Sequence, residues 1–244
     1  MKTKGDQQLL KRINRSVLLR LLRDQPGQSR ARLAQASGLT KSTVSALVRE
    51  LLDEHWIAEA DAPVASDGMG RPSTPLHIDG QRRVLMGVEI GVRQMRLVTV
   101  SLTGVVLSSA EQALDSADAQ AVCKQMAQMV HPAWRDLGQR GLLLSGIGVC
   151  LPGAIDETSD LVRFAPNLGW RDLPFHGMVH RALARSGVPV VDIHLQNDGD
   201  AAALGEYEFA TTGDAGPLIF ISCDVGVGAG VVLNDHLFSG ARGM

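Results

Sequence analysis

Lys41, Ser42, Thr43, Ser45 and Arg49 set short hydroxyls and cations along one face of a predicted helix, and Ser29 and Arg30 open the helix before it. Such side chains reach base edges and phosphate oxygens when a helix N-terminus enters a groove of DNA. They would also suit the solvated face of a small helical bundle. Gly70-Arg71-Pro72 is a second candidate. Glycine permits close backbone approach, proline keeps the chain extended, and a guanidinium is drawn to the negative potential of a narrow A·T-rich minor groove. Read without its neighbours, the segment would also suit a Gly/Pro linker, the less favoured of the two readings. Pro152-Gly153 and Asn197-Asp198 each follow a predicted strand, and loops at strand C-termini are where α/β sheets hold ligands. Asn-Asp in that position also makes a plain helix cap.

The elements that position these groups are read from periodicity. Leu9, Ile13, Val17 and Leu21 recur every four positions, with Leu10, Leu18 and Leu22 beside them. This predicts a helix over 7–23 with that set as one buried face. Pro26 and Gly27 stop it. Ser29 caps a short helix carrying Leu33 and Ala34, which Gly38 closes. Thr40 caps a third, whose apolar stripe is Val44, Leu47, Val48, Leu51 and Leu52. Helix, glycine turn, helix is a helix-turn-helix pattern. Strands over 56–60 and 76–78 flank the Gly-rich segment as the strands of a wing flank its tip.

From Val84 the pattern turns to β-type runs: strands over 84–90, 95–100 and 105–109 at hairpin spacing, then a helix over 117–137. Further strands are predicted over 142–150, 188–195, 218–222 and 231–233, the last preceded by Gly226-Val227-Gly228-Ala229-Gly230. The sum is a mixed α/β sheet. Composition agrees with a folded chain: 45% apolar and 20% charged residues exclude a disordered polyelectrolyte. The net charge of −2 hides a split, +5 over residues 1–83 and −7 over 84–244. A basic head on an acidic body is one form a nucleic-acid-binding protein takes. Cys123, Cys150 and Cys223 lie far apart, which excludes a disulfide framework and a local zinc motif and suggests small core residues. The first residues lack a signal-peptide core, and no apolar run is long enough to span a bilayer, so a cytoplasmic location is expected.

In this order the motifs are specific. The helix-turn-helix, Gly70-Arg71-Pro72, Gly87-Val88-Glu89-Ile90-Gly91, Gly146-Ile147-Gly148-Val149 leading to Pro152-Gly153, Ala165-Pro166-Asn167-Leu168-Gly169-Trp170 and Asn197-Asp198 leading to Gly205-Glu206 together resemble repressors of the ROK family (repressors, open reading frames and sugar kinases). The resemblance implies a winged helix-turn-helix over 1–80 and an α/β domain of actin-like (ribonuclease-H-like) ATPase fold over 81–244, with its second lobe incomplete. It implies a DNA-binding, sugar-responsive repressor of carbohydrate-utilisation genes, a homodimer or higher homo-oligomer, with operator DNA and a sugar or sugar phosphate as partners and no membrane. The alternative is a ROK sugar kinase phosphorylating a hexose.

Departures from the family pattern bear on that alternative. Kinases of the family open with Asp-x-Gly-Gly-Thr, whose backbone and hydroxyl receive ATP phosphates. Here the same place reads Glu89-Ile90-Gly91-Val92-Arg93, with a β-branched side chain for the second glycine and no hydroxyl. Asp224 stands before Gly226 where it would repel phosphate. Phosphoryl transfer is therefore not expected, although Asp198 matches the kinases' general base. Gly153, Asn167, Asn197 and Asp198 are instead expected to serve sugar hydroxyls. Full-length members of the family bind structural zinc, but ligands for it would lie beyond Met244, and His176 with His180 is only a two-ligand fragment. This 244-residue form is accordingly expected to bind DNA and to respond weakly or not at all to sugar.

Overall fold

Apolar side chains gather into two separate cores, and the chain divides with them into two units, Met1–Arg83 and Val84–Met244. The computed structural model describes residues 4–60, 74–156, 159–189, 191–209, 216–223 and 226–238.

The first unit contains α1 (Lys4–Asp24), α2 (Arg30–Ser37), α3 (Lys41–Asp53), β1 (Ile57–Glu59) and β2 (Leu76–Ile78). Ser29 caps α2, its side chain accepting from the Arg32 N–H at 3.3 Å. Gly38 ends α2 at φ +70°, a left-handed conformation that favours glycine. Thr40 caps α3, its Oγ1 accepting from the Thr43 N–H at 3.2 Å. Thr40→Ala should cost about 1 kcal/mol, and Thr40→Ser much less, in thermal denaturation. β1 and β2 pair antiparallel from Ile57↔Ile78 to Glu59↔Leu76, as the strands of a wing should.

One sequence expectation is corrected here. The buried face of α1 is Leu18 and Leu22, whereas Leu9, Leu10, Ile13 and Val17 are exposed. Two overlapping four-residue repeats run along this helix, and packing against α2, α3 and β2 selects one of them.

Beside that core Arg15 of α1 forms a two-pronged pair with Glu54 at the end of α3, one bond measuring 2.7 Å. Glu54 Oε2 also accepts from Trp56 Nε1 at 3.1 Å, and the Glu54 carbonyl accepts from Arg83 Nε at 2.6 Å. The bond from Arg15 holds the Glu54 carboxyl below its usual value near 4.5, and the bond to Glu54 raises Arg15 in turn. A depressed carboxylate stabilises the fold above its unfolded pKa, and that contribution is lost as pH falls through the lower folded value. Because both groups are partly solvated, an Arg15→Ala/Glu54→Ala double-mutant cycle should give a coupling of about 0.5–1 kcal/mol near neutrality, fading below pH 4.5.

The second unit is built on a five-stranded sheet ordered β10-β6-β3-β4-β5. β3 (Arg83–Ile90), β4 (Gln94–Ser101) and β5 (Val106–Ala113) form the antiparallel meander, with a register shift at Thr99/Val100. After α4 (Ala119–Gln139) comes β6 (Leu143–Leu151), and β10 (Asp192–Asn197) later pairs with it in parallel. Alternate residues of β3 are buried, and α4 and α5 (Phe175–Arg185) cover them with Met126, Val130, Phe175 and Val179.

The sequence did not yield the small sheet β7 (Ala154–Asp156), β8 (Leu161–Ala165) and β9 (Trp170–Leu173). Nor does strand β10 begin at Val188: Pro189 has no N–H for the ladder, and Val188 is buried ahead of the strand. α6 (Asp198–Phe209) packs on a three-stranded sheet of β11 (Leu218–Cys223), β12 (Val227–Leu233) and β13 (His236–Leu237). Gly226 to Gly230 is therefore mostly strand rather than loop. Ile219, Ile221 and Val227 of this sheet are exposed, and so is Cys223, contrary to its expected core place.

Candidate functional site

Two sites were expected, one in each unit. In the first, α3 buries Val44, Leu47, Val48 and Leu51, which turns Lys41, Ser42 and Arg49 to solvent. Thr43 and Ser45 are half-buried. At the N-terminus of α3 the Thr40 hydroxyl lies 2.9 Å from Ser42 Oγ and 2.8 Å from Thr43 Oγ1. Hydroxyls clustered on a helix N-terminus, beside Lys41, meet the positive end of the helix dipole and suit a phosphate. Ser29 Oγ accepts from the Arg32 N–H as the cap of α2, and Arg30 pairs with Glu59 of β1 at 2.9 Å. Arg30 thus ties α2 to the wing strand. Gly70, Arg71 and Pro72 lie outside the described residues.

Gln28 was not anticipated. It is buried, its Nε2 donating to the Leu21 carbonyl at 3.0 Å, and its own carbonyl accepts from the Leu76 N–H at 3.0 Å. It joins the end of α1 to the wing strand. A glutamine between Gly27 and Ser29 carries no local signal for that role.

In the second unit, β6 and β10 run parallel with Leu151 opposite Asn197, so their C-terminal loops meet. Asn197 Nδ2 donates to the Gly153 carbonyl at 2.9 Å, and its Oδ1 accepts from the Asp200 N–H at 3.1 Å. Both ends of the amide are engaged: Asn197 caps α6 and fixes the Gly153 loop. Asp198 Oδ1 accepts from the Gly199 N–H at 2.9 Å, and among the described residues its second oxygen is available. Gly153 has φ +146°, and a Cβ there would lie 2.4 Å from the Phe164 carbonyl, so the loop presses on β8. β8 continues into a single 3-10 turn, Pro166–Leu168. Trp170 is anchored by its Nε1 bond to the Ala117 carbonyl at 2.7 Å, and Asn167 is left exposed within about 4 Å of the Cβ position of Gly226. The structure thus brings Gly153, Asn197 and Asp198 together and sets Asn167 at the end of the adjoining strand.

The same sheet edge carries Glu89 and Cys150. Burial pushes the Cys150 thiol up to about 12, with Glu89 and Asp198 adding to the rise. Glu89 is paired with Arg96 at 3.3 Å, and Arg96 with Glu111 at 2.7 Å. The Gly91-Val92-Arg93 turn closes on itself, the Gly91 N–H donating to the Gln94 carbonyl at 2.9 Å. A phosphate would find carboxylates at this edge and one fewer free amide.

Residues 85–244 match the ROK family, and residues 11–58 match a winged helix-turn-helix DNA-binding family. The chain belongs to the ROK family. It is 30% identical to the xylose repressor of Bacillus subtilis (strain 168) over 98% of its own length and 60% of that protein's. A crystal structure of a ROK family transcriptional regulator, a homologue of the E. coli MLC protein, superposes with a TM-score of 0.79 at 22% identity over 96% of this chain and 57% of that one. A ROK family glucokinase from Streptomyces griseus, solved with glucose and AMPPNP, superposes with a TM-score of 0.53 at 26% identity over 66% of this chain and 47% of that one. The ROK chain described here therefore spans little more than half the length of the curated relatives it matches. Its fold is an N-terminal winged helix-turn-helix followed by the actin-like α/β architecture. Among the described residues no helix is long and apolar enough to cross a membrane. His176 and His180, set aside above as only a two-ligand fragment, lie on α5, where His176 Nδ1 is 3.8 Å from Asp160 Oδ2. Among the described residues no three metal-ligating side chains gather.

Proposed function

We propose that this ROK chain is a DNA-binding, sugar-responsive transcriptional repressor and not a kinase. The observation that carries it is the face at the start of α3, where Lys41 and the Ser42 and Thr43 hydroxyls crown a correctly capped helix of a winged helix-turn-helix. Kinase chemistry is disfavoured by the self-closed Gly91 turn and by the pairing of Glu89 with Arg96, which leaves neither free to receive phosphate or its cation. The name of the B. subtilis relative, a xylose repressor, supports a sugar as effector class and operator DNA as partner. A two-fold homodimer fits paired half-sites in DNA.

Among the sugar residues, Asp198 and Asn167 are the contact groups of this reading, and Asn197 and Gly153 are the groups that position them. The test has two arms. Fluorescence anisotropy with a duplex selected from a random pool should show sequence-specific binding. A coupled ATPase assay over xylose, glucose and N-acetylglucosamine should stay at background. Sugar-dependent turnover well above background overturns the repressor-only reading. In calorimetry with the same sugars, any heat seen with the parent should vanish in Asp198→Asn. Equal heats in parent and variant remove Asp198 from the sugar site and leave the DNA reading intact.

A further inference from the structure

A groove between α4 and α5 encloses a cavity of about 850 Å³ and shares no residue with the Asn167–Asp198 cluster or with the DNA face. Its walls are of opposite kinds. Cys123, Ala127 and Ala182 give it a floor of small side chains, and burial pushes the Cys123 thiol up to about 12, so the floor carries no charge near neutrality. Above the floor stand Lys124 from α4 and Arg181 and Arg185, one turn apart, from α5. All three are exposed, and among the described residues none has a carboxylate partner. The acid in the groove, Asp118, is committed to capping α4, its Oδ1 accepting from the Ala121 N–H at 2.9 Å.

We infer that this groove is a binding site for a small anionic metabolite, one bearing a phosphate or more than one carboxylate. The volume falls within the roughly 300–1,000 Å³ usual for small-molecule sites. Three cations from two walls, left unpaired on a unit whose net charge is −7, are the requirement for recognising an anion against an unfavourable background field. Arginine at i and i+4 offers two planar forks to one carboxylate- or phosphate-bearing molecule, and Gln128 adds a hydrogen-bonding amide at the margin. A ligand held between Lys124 and the two arginines would tie α4 to α5, the two helices that cover the central sheet. Nothing in this depends on the sugar cluster or on DNA binding.

The experiment is calorimetric titration of the whole 244-residue chain with citrate and with glucose 6-phosphate, in buffer of matched ionic strength. Saturable binding to the parent is expected, with at least tenfold loss in Arg181→Gln/Arg185→Gln and a similar loss in Lys124→Gln. Each of these side chains is exposed, so the variants should melt like the parent without ligand, which separates lost binding from lost fold. No binding of either anion, or equal binding by parent and variants, overturns the assignment. Tighter binding of a hexaglutamate peptide than of both small anions also overturns it, and gives the groove to an acidic protein segment instead.

Discussion

Lys41→Ala combined with Arg49→Ala should weaken binding to a selected operator duplex about 100-fold at fixed salt, while leaving the melting curve of the chain unchanged. Both side chains are exposed on α3, and neither enters an ion pair among the described residues. Their removal therefore takes nothing from the core of Val44, Leu47, Val48 and Leu51. Contacts of this type are worth about 1–3 kcal/mol each, and two of about 1.4 kcal/mol give the expected factor. If both meet phosphate, the slope of log K against log salt should fall by about 0.9 for each. Arg30→Ala is the instructive comparison. Its guanidinium already pairs with Glu59, so any loss of affinity there should come with a loss of stability as the α2–wing tie is cut. An unchanged affinity and salt slope in the α3 double variant would place the DNA face elsewhere on the unit.

What could be read from the sequence was what local chemistry decides. Ser29, Gly38 and Thr40 mark their helix ends because a cap is satisfied within three or four residues of chain. The meander of β3, β4 and β5 was legible for the same reason, since the alternation along β3 and β4 is regular and the turns are short. The unread parts are those decided at a distance. Which repeat of α1 faces the core depends on α2, α3 and β2, so the exposed Leu9, Ile13 and Val17 looked no different from Leu18 and Leu22. Asp160, a non-glycine residue at φ +56°, leads into β8, and strands of three, five and four residues are too short to show a regular alternation, although Pro166 and Gly169 do mark the turn between β8 and β9. Asn197 was recognisable as important, but its sequence could not tell a ligand contact from a residue bonded at both ends to Gly153 and Asp200.

The glycine-rich run before Leu233 offers the sharpest test of packing against ligand binding. Gly230→Val should lower the stability of the second unit by about 3 kcal/mol or more, seen by calorimetry as a fall of roughly 6–12 °C in Tm. A Cβ at Gly230 would stand 2.4 Å from the Gly199 carbonyl oxygen and 2.6 Å from Ala203 Cβ, so α6 could not approach β12. The opposing Gly199 is as constrained, its Cβ position lying 3.1 Å from the Ala229 backbone. Gly228, two residues earlier on the same strand, has nothing within 4 Å of its Cβ position. Gly228→Ala should therefore be neutral or slightly stabilising, because alanine restricts the unfolded chain more than glycine does. A phosphate-cradling loop would behave otherwise: its glycines would be needed for ligand approach and would leave the fold indifferent. If Gly230→Val melts like the parent while Gly228→Ala does not, the run is not a helix–strand contact, and the case against a nucleotide loop in this lobe loses one of its supports.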